Sequence, residues 1–177
     1  MCVNTSGRPC AFAHPPTRFP HAHRVFPTLT LAMCPSNAEQ CKAAAQLPFC
    51  TLVGKCMYLA NCTQPDISYA ICKLAKFMSN YSMKHYKATK HLLQYLQGTR
   101  SQGLTYGNSP NPYPSFRAFA DSDWAMSEGW KSISGFLIEC GGSIIAWSSK
   151  QQVVVALLSC EAEYIACLHC AWQILWQ

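Results

Sequence analysis

The sequence predicts an α/β fold in which a helical segment precedes three antiparallel strands and a further helix. First, the hydrophobic period changes from helical to alternating across residues 108–114, a linker whose Asn, Ser and Pro residues favour turns. Second, Cys140-Gly-Gly142 separates two short apolar runs, which is typical of a β-hairpin. The predicted strands are Ser115–Ala120, Ser134–Glu139 and Ser143–Ser149, and the predicted final helix runs from about Cys160 to Gln177.

The helical segment before the linker has apolar residues at helical spacing. Helices are predicted at Leu52–Ala60, from Pro65 to Met78, and at Met83–Gln97, where Gly98 provides a normal C-terminal stop. Asp66 lies at the start of the second helix, where its carboxylate suits the free N–H groups of the first turn. Residues 52–97 are therefore predicted to be predominantly helical.

Residues 1–47 form an unassigned region that is predicted to be disordered, with a short helix at Asn37–Gln46, because Pro, His, Cys and small residues occur there without a sustained period. The 177 residues, half of them hydrophobic, can bury one ordinary core. No apolar run approaches the length of a membrane span, and the N-terminus lacks an apolar signal segment. We therefore expect an intracellular protein, cytoplasmic or nuclear, with no membrane association and with its 12 cysteines reduced.

The net charge of +6 is unevenly distributed along the chain. Between Ile67 and Ala120 there are seven basic residues and no acidic one. This pattern predicts contact with a phosphate backbone, and a basic, solvated surface is the equally open alternative. The candidate nucleic-acid-binding residues are Lys73, Lys76, Lys84, Lys87 and Lys90.

Four of the eight acidic residues occur in two short segments, Phe119–Trp124 and Ser159–Tyr164. The first follows a predicted strand and the second opens a predicted helix. Carboxylates placed in this way can hold hard divalent cations such as Mg²⁺. For Asp121 the alternative is a carboxylate that simply terminates a strand. The apolar pattern does not decide whether Glu161 or Glu163 faces the sheet.

Two series of motifs occur in order along the chain. The downstream series comprises Asp121-Ser-Asp-Trp-Ala125, Lys131-Ser-Ile-Ser-Gly135, Ala146-Trp-Ser-Ser-Lys-Gln151, Val155-Ala-Leu157 and Glu161-Ala-Glu-Tyr164. The upstream series comprises Leu52-Val-Gly54, Met57-Tyr58, Gln64-Pro-Asp-Ile-Ser-Tyr-Ala70, Phe77-Met-Ser79, His85-Tyr86 and Gln94-Tyr-Leu-Gln-Gly-Thr99. The downstream series resembles the ribonuclease H domain of copia-type LTR retrotransposon polyproteins, and the upstream series resembles the end of their reverse transcriptase. The resemblance extends from about Pro48 to Gln177.

The resemblance implies an organisation and a chemistry. Residues 48–107 would be the helical end of the reverse transcriptase, and residues 115–177 an incomplete ribonuclease H-like domain. Asp121 and Glu163 would be catalytic residues and Mg²⁺ ligands. Asp123 would be a turn residue or a residue that supports a ligand, and Glu161 a helix N-terminal charge. The expected partner is an RNA–DNA hybrid or another nucleic-acid duplex, and the ancestral reaction is hydrolysis of the RNA strand.

The chain also departs from the family pattern. Leu158-Ser-Cys-Glu161 lacks the Thr of a capping box, which costs about 1 kcal/mol unless Ser159 caps the helix instead. The resemblance places the family's other two ribonuclease H carboxylates beyond Gln177 and the polymerase aspartates before Pro48. We therefore expect a polyprotein fragment that is inactive alone. The alternatives are a non-catalytic nucleic-acid-binding module and a non-functional pseudogene product.

Overall fold

The computed structural model describes residues 29–107, 115–125 and 129–176. Its elements confirm the predicted α/β fold with three antiparallel strands followed by a helix. Of residues 1–47, which are predicted to be disordered, residues 1–28 lie outside the described residues, as does the linker predicted at residues 108–114; residues 29–47 include a 3₁₀ turn and α1. The helices are α1 (Ala38–Ala45), α2 (Phe49–Cys62), α3 (Ser68–Ala75), α4 (Met83–Gly98) and α5 (Ser159–Leu175), with short 3₁₀ turns at Leu31–Met33 and Pro65–Ile67; the strands are β1 (Phe116–Asp123), β2 (Ile133–Cys140) and β3 (Ser143–Gln151).

The second predicted helix is shorter in the structure than its apolar spacing indicated. It begins with the 3₁₀ turn at Pro65–Ile67 and ends at Ala75 rather than at Met78. The following amides bond three residues back instead of four: Phe77 N–H donates to Leu74 O at 3.1 Å and Met78 N–H to Ala75 O at 3.2 Å. Hydrogen bonds to the residue three positions back are common at the ends of α-helices. The helical spacing of apolar residues therefore continues to Met78, although the α-helical hydrogen bonds end at Ala75.

The principal core of the described residues lies within the helical segment. Phe49 and Val53 of α2, Leu74 of α3 and Leu92 of α4 are almost completely buried in one cluster. The Phe49 ring also stacks on Tyr81, with 4.6 Å between the ring centroids. Burial of each large apolar side chain contributes about 1.5–3 kcal/mol, so this cluster carries much of the stability of the fold.

The N-terminus of α4 depends on a buried histidine. His85 Nδ1 accepts a hydrogen bond from the Ser82 N–H at 3.0 Å, and its ring packs on Phe77 at a centroid distance of 4.2 Å. A nitrogen that accepts this bond must be unprotonated. Burial, followed by the nearby charge of Lys84, lowers the pKa of His85 below its ordinary value. The folded state therefore favours neutral His85.

This arrangement predicts acid sensitivity. The contribution of His85 to stability should be complete above the unfolded-state pKa of 6.5 and should decrease as the pH falls toward the lowered folded-state pKa. Denaturant unfolding of the wild type from about pH 7 to about pH 5 should show a steeper loss of stability than unfolding of His85→Gln. His91→Gln changes an exposed histidine of the same helix and should behave like the wild type. Parallel pH profiles for the wild type and His85→Gln would contradict this assignment.

The sheet has the order β1-β2-β3 with both pairs antiparallel. Gly141 and Gly142, with φ of 59° and 82°, form the predicted hairpin turn between β2 and β3. Two successive positive φ angles require residues without a side-chain penalty, which explains the glycine pair. β1 extends three residues beyond its predicted end at Ala120, because pairing with β2 continues to Asp123.

The two faces of the sheet are covered by different helices. α5 packs over β1 and β2. The buried Gln152 links α5 to the sheet, because its Nε2 donates to Ser134 Oγ of β2 and to Ala162 O of α5, both at 2.9 Å. On the other face, Trp147 Nε1 donates to Ala60 O of α2 at 2.6 Å, and α3 contacts β3. The described residues thus form a helix–sheet–helix layering. None of their helices is long and apolar enough to cross a membrane.

Candidate catalytic face and nucleic-acid surface

A hollow of about 320 Å³ lies between the helical segment and the sheet. It is floored by Trp147 and by the strand residues around Gly135, and Tyr69 of α3 borders it. Asp66, Asp121 and Asp123 contribute to its lining. The first carboxylate segment of the sequence therefore lies where the two layers meet.

Asp123 has a structural role in this hollow. Its Oδ1 accepts the Ile133 N–H at 2.7 Å and its Oδ2 accepts the Tyr69 hydroxyl at 3.5 Å. Burial, together with the charge and hydrogen bond of Asp123, raises the pKa of Tyr69. Both carboxylate oxygens are thus engaged in joining β1 to β2 and to α3. Asp123 is the last residue of β1 rather than a turn residue, and its carboxylate is occupied by these two hydrogen bonds.

Asp121 and Glu163 lie on different sides of the sheet. Side chains alternate along a strand, so Asp121 shares the α3 side with Asp123, and it is exposed. Glu163 belongs to α5, on the other side, and is half-buried beside the sheet-facing row of Ala162, Ala166 and Cys170. Asp121 therefore belongs to the α3 side of β1, whereas Glu163 belongs to the helix that packs on the other side.

Glu161 engages the chain before α5. Its Oε2 accepts the Leu157 N–H at 2.7 Å, close to the positive end of the helix. The N-cap is Leu158, whose side chain cannot accept a hydrogen bond, so Ser159 does not replace the missing capping residue. Glu161 therefore occupies the helix N-terminal position expected for it.

The residues present do not fit a pair of Mg²⁺ ions. Within the described ranges, no three His, Cys, Asp or Glu side chains come together in a group that could hold a metal. Asp123 is committed to hydrogen bonds, and Asp121 and Glu163 are carried by elements on different sides of the sheet. Mg²⁺ requires near-octahedral oxygen ligands, and two-metal hydrolysis requires several carboxylates between the ions.

One hydrogen bond between two parts of the helical segment was not predicted from the sequence. Tyr95 of α4 donates to Asp66 Oδ2 at 2.6 Å, and burial followed by this bond raises the pKa of Tyr95. Asp66 Oδ1 is a buried acceptor for which the described residues supply no donor. Asp66 and Tyr95 are 29 residues apart, so no local spacing predicts the pair.

The candidate basic residues divide into two groups. Lys84, Lys87 and Lys90 are exposed and form one row along α4, with Lys90 Nζ 5.1 Å from the centre of the Tyr86 ring. Lys73 is half-buried on α3 and lies 5.4 Å from the Tyr69 ring, next to the hollow. Lys76 follows α3 and is exposed. The α4 row is therefore the largest exposed group among the predicted basic residues.

Comparison with known proteins gives consistent relatives. The chain is 36% identical over 149 residues to the retrovirus-related Pol polyprotein from transposon TNT 1-94 of Nicotiana tabacum, covering 84% of this chain and 11% of that protein. It is 38% identical over 128 residues to the retrovirus-related Pol polyprotein from transposon RE1 of Arabidopsis thaliana, covering 71% of this chain and 8% of that protein. The chain thus spans about a tenth of the length of these polyproteins.

A much shorter relative covers the same region. The secreted RxLR effector protein 161 of Plasmopara viticola is 35% identical over 131 residues, which include 73% of this chain and 91% of that protein. No family model matches the chain, and no solved structure matches it. The Pol polyproteins agree with the ordered motifs on both sides of the linker. The chain belongs to the family of copia-type retrotransposon Pol polyproteins.

Proposed function

We propose that this chain is a segment of a retrotransposon Pol polyprotein that contacts nucleic-acid duplexes through α4 and does not cut them. Its ancestral activity is Mg²⁺-dependent hydrolysis of the RNA strand in an RNA–DNA hybrid, with Asp121 and Glu163 as remnants of the metal site. The observation that carries the proposal is the exposed lysine row of α4, formed by Lys84, Lys87 and Lys90 in a stretch of the chain without acidic residues.

The case against cleavage follows from ligand number and placement. Two cations about 4 Å apart need carboxylates that converge on both of them. Asp121 and Glu163 approach from opposite sides of β1, and Glu161 and Asp123 are engaged by backbone N–H groups. The remaining described acidic side chain on the sheet, Glu139, pairs with Arg117 at 3.8 Å. Asp66 lines the same hollow as Asp121 and has one oxygen without a donor, but among the described residues no three carboxylates come together in a group that could hold a metal.

The case for binding follows from charge and shape. The α4 row presents three ammonium groups along 9–10 Å of helix, and no acidic residue occurs between Ile67 and Ala120 to neutralise it. Contacts of this kind are independent of base sequence and release counterions from the duplex. We expect weak binding, with dissociation constants on the order of 10⁻⁴–10⁻⁶ M at physiological salt.

The binding prediction concerns the triple variant Lys84→Gln, Lys87→Gln, Lys90→Gln. Its affinity for a fluorescent RNA–DNA hybrid should fall, and the slope of log K against log salt should become shallower by about 2–3, since each lost phosphate contact removes about 0.9. Anisotropy titrations at several salt concentrations measure both quantities.

A charge-matched control separates a binding face from overall charge. Lys42→Gln, Lys55→Gln, Lys150→Gln removes the same number of charges from exposed positions on α1, α2 and β3. This control should keep most of the affinity and the salt slope of the wild type. If both triple variants weaken binding equally, the α4 row is only part of a generally basic surface.

A second candidate, a non-functional product, is favoured by the apolar surface around α5. Its exposed apolar side chains are large, and nothing in the described residues covers them. They are Leu157, Leu158, Tyr164, Leu168, Trp172, Leu175 and Trp176. Surfaces of this kind promote aggregation in a chain that has no partner for them.

A further inference from the structure

The first turn of α4 joins the exposed lysine row to the buried ring of His85. Lys84, the first member of the row, directly precedes His85, which is completely buried. His85 Nδ1 accepts the backbone N–H of the N-cap residue Ser82 at 3.0 Å and lies 3.0 Å from Ser82 Oγ. This capping box holds the turn that carries Lys84, because it satisfies an N–H group for which the helix itself has no acceptor.

The surroundings of the His85 ring favour its neutral form. The neutral ring carries its proton on Nε2, which is buried and has no hydrogen-bond partner among the described residues. α4 packs on α2 and α3, and neither helix carries a carboxylate that could compensate a positive ring. The charged group that acts on the ring is Lys84, whose ammonium opposes a second positive charge. The other cations of these two helices and of the connection to α4 are Lys55, Lys73 and Lys76, and the tyrosine and cysteine side chains there are uncharged near neutral pH.

We propose that protonation of His85 switches off part of the duplex contact, because it opens the first turn of α4 and removes Lys84 from the lysine row. This inference rests on the duplex contact proposed for α4. A protonated Nδ1 donates instead of accepting, so it can no longer bond the Ser82 N–H. The opening stays local, since Leu92 and Tyr95 anchor the later turns of α4 in the helical core.

The pH range of the switch follows from the two states of the turn. In the open turn His85 is solvated and titrates near its ordinary pKa of 6.5, whereas burial, followed by the charge of Lys84, lowers its pKa in the closed turn. The closed turn is therefore fully favoured above pH 6.5, and opening becomes easier as the pH falls from 6.5 through the lowered pKa. Opening is favoured by up to about tenfold for each unit between the two pKa values.

Binding of a labelled RNA–DNA hybrid to the full chain tests the switch at about pH 7.5 and about pH 5, each at several salt concentrations. The reference is His85→Gln, which provides the glutamine of an ordinary capping box and does not titrate. On acidification the wild type should lose about threefold or more in affinity relative to His85→Gln, and its salt slope should become shallower by about 0.9, the value of one phosphate contact. His91→Gln changes an exposed histidine of the same helix and should respond to pH as the wild type does.

Hydrogen–deuterium exchange of the wild type tests the opening of the turn without any substitution. After correction for the intrinsic effect of pH on exchange, residues 82–88 should lose protection between about pH 7.5 and about pH 5, and residues 92–98 should keep theirs. Equal loss in both halves of α4 would mean global acid unfolding and would overturn the switch, and so would unchanged protection of residues 82–88.

The binding results separate failure of the switch from failure of the duplex contact. Binding that depends on the lysine row but changes equally with pH in the wild type and in His85→Gln would overturn the switch and leave the contact standing. Absence of binding at about pH 7.5 would refute the contact, and the switch with it.

Discussion

The purified chain is expected to leave the RNA strand of an RNA–DNA hybrid intact in the presence of Mg²⁺ or Mn²⁺. The physical reason is the placement of Asp121 and Glu163 on different sides of β1, with the neighbouring carboxylates Asp123 and Glu161 held by backbone N–H groups. The described residues bring no three possible ligands together, whereas two-metal hydrolysis needs several carboxylates that converge on both ions. Denaturing electrophoresis of a labelled hybrid measures the outcome, and an active ribonuclease H confirms that the substrate can be cut.

If cleavage above background is observed, three variants show whether it comes from this chain. Activity that disappears in both Asp121→Asn and Glu163→Gln, yet survives in Glu161→Gln, would show that the two residues meet in an assembled metal site. That result would contradict the assignment of this chain as a non-cleaving segment. Activity that survives all three variants would instead indicate a contaminating nuclease.

The largest expected effect on stability comes from the core of the helical segment. Leu74→Ala removes a completely buried side chain from the contact between α3, α2 and α4, and should lower the free energy of unfolding by about 2–5 kcal/mol. Leu168→Ala is the matched control, because Leu168 is also helical but 56% exposed, and it should change stability by less than about 0.5 kcal/mol. Urea unfolding followed by circular dichroism measures both.

The shape of the unfolding transition also separates the candidate functions. A folded, duplex-binding segment should unfold cooperatively, and Leu74→Ala should shift the midpoint without changing the slope. Equal effects of the two leucine variants would mean that the helical cluster is not the stabilising core. A broad, non-cooperative transition in the wild type would favour the non-functional product instead.

The fold was largely predictable because its signals are local. The glycine pair at Gly141 and Gly142, the helical spacing from Met83 to Gly98 and the alternation of the strands all depend on neighbouring residues. The end of α3 was not predictable from spacing, since 3₁₀ bonding replaces α-helical bonding after Ala75 while the apolar period continues. The extension of β1 to Asp123 also depends on its partner strand rather than on its own residues.

The site was harder to predict, because its contacts are long-range. Residue spacing and the family resemblance both indicated Asp121 and Glu163 as candidate ligands. Neither signal indicates on which side of the sheet a residue lies after the strand and the helix have packed. The bonds of Tyr69 to Asp123, Tyr95 to Asp66 and Trp147 to Ala60 join residues 54, 29 and 87 positions apart. Trp147 alone gave a local signal, as a large aromatic with a polar N–H in a predicted strand.

The most direct test of the central claim is one anisotropy titration of a labelled RNA–DNA hybrid in Mg²⁺, with the hybrid recovered afterwards on a denaturing gel. Duplex contact through α4 without cleavage predicts that anisotropy rises with protein, returns to the free value at raised salt, and leaves the RNA strand at full length. It also predicts that the Lys84, Lys87, Lys90 variant loses most of the rise. A shortened RNA strand, or a rise that the lysine variant retains in full, would contradict the account.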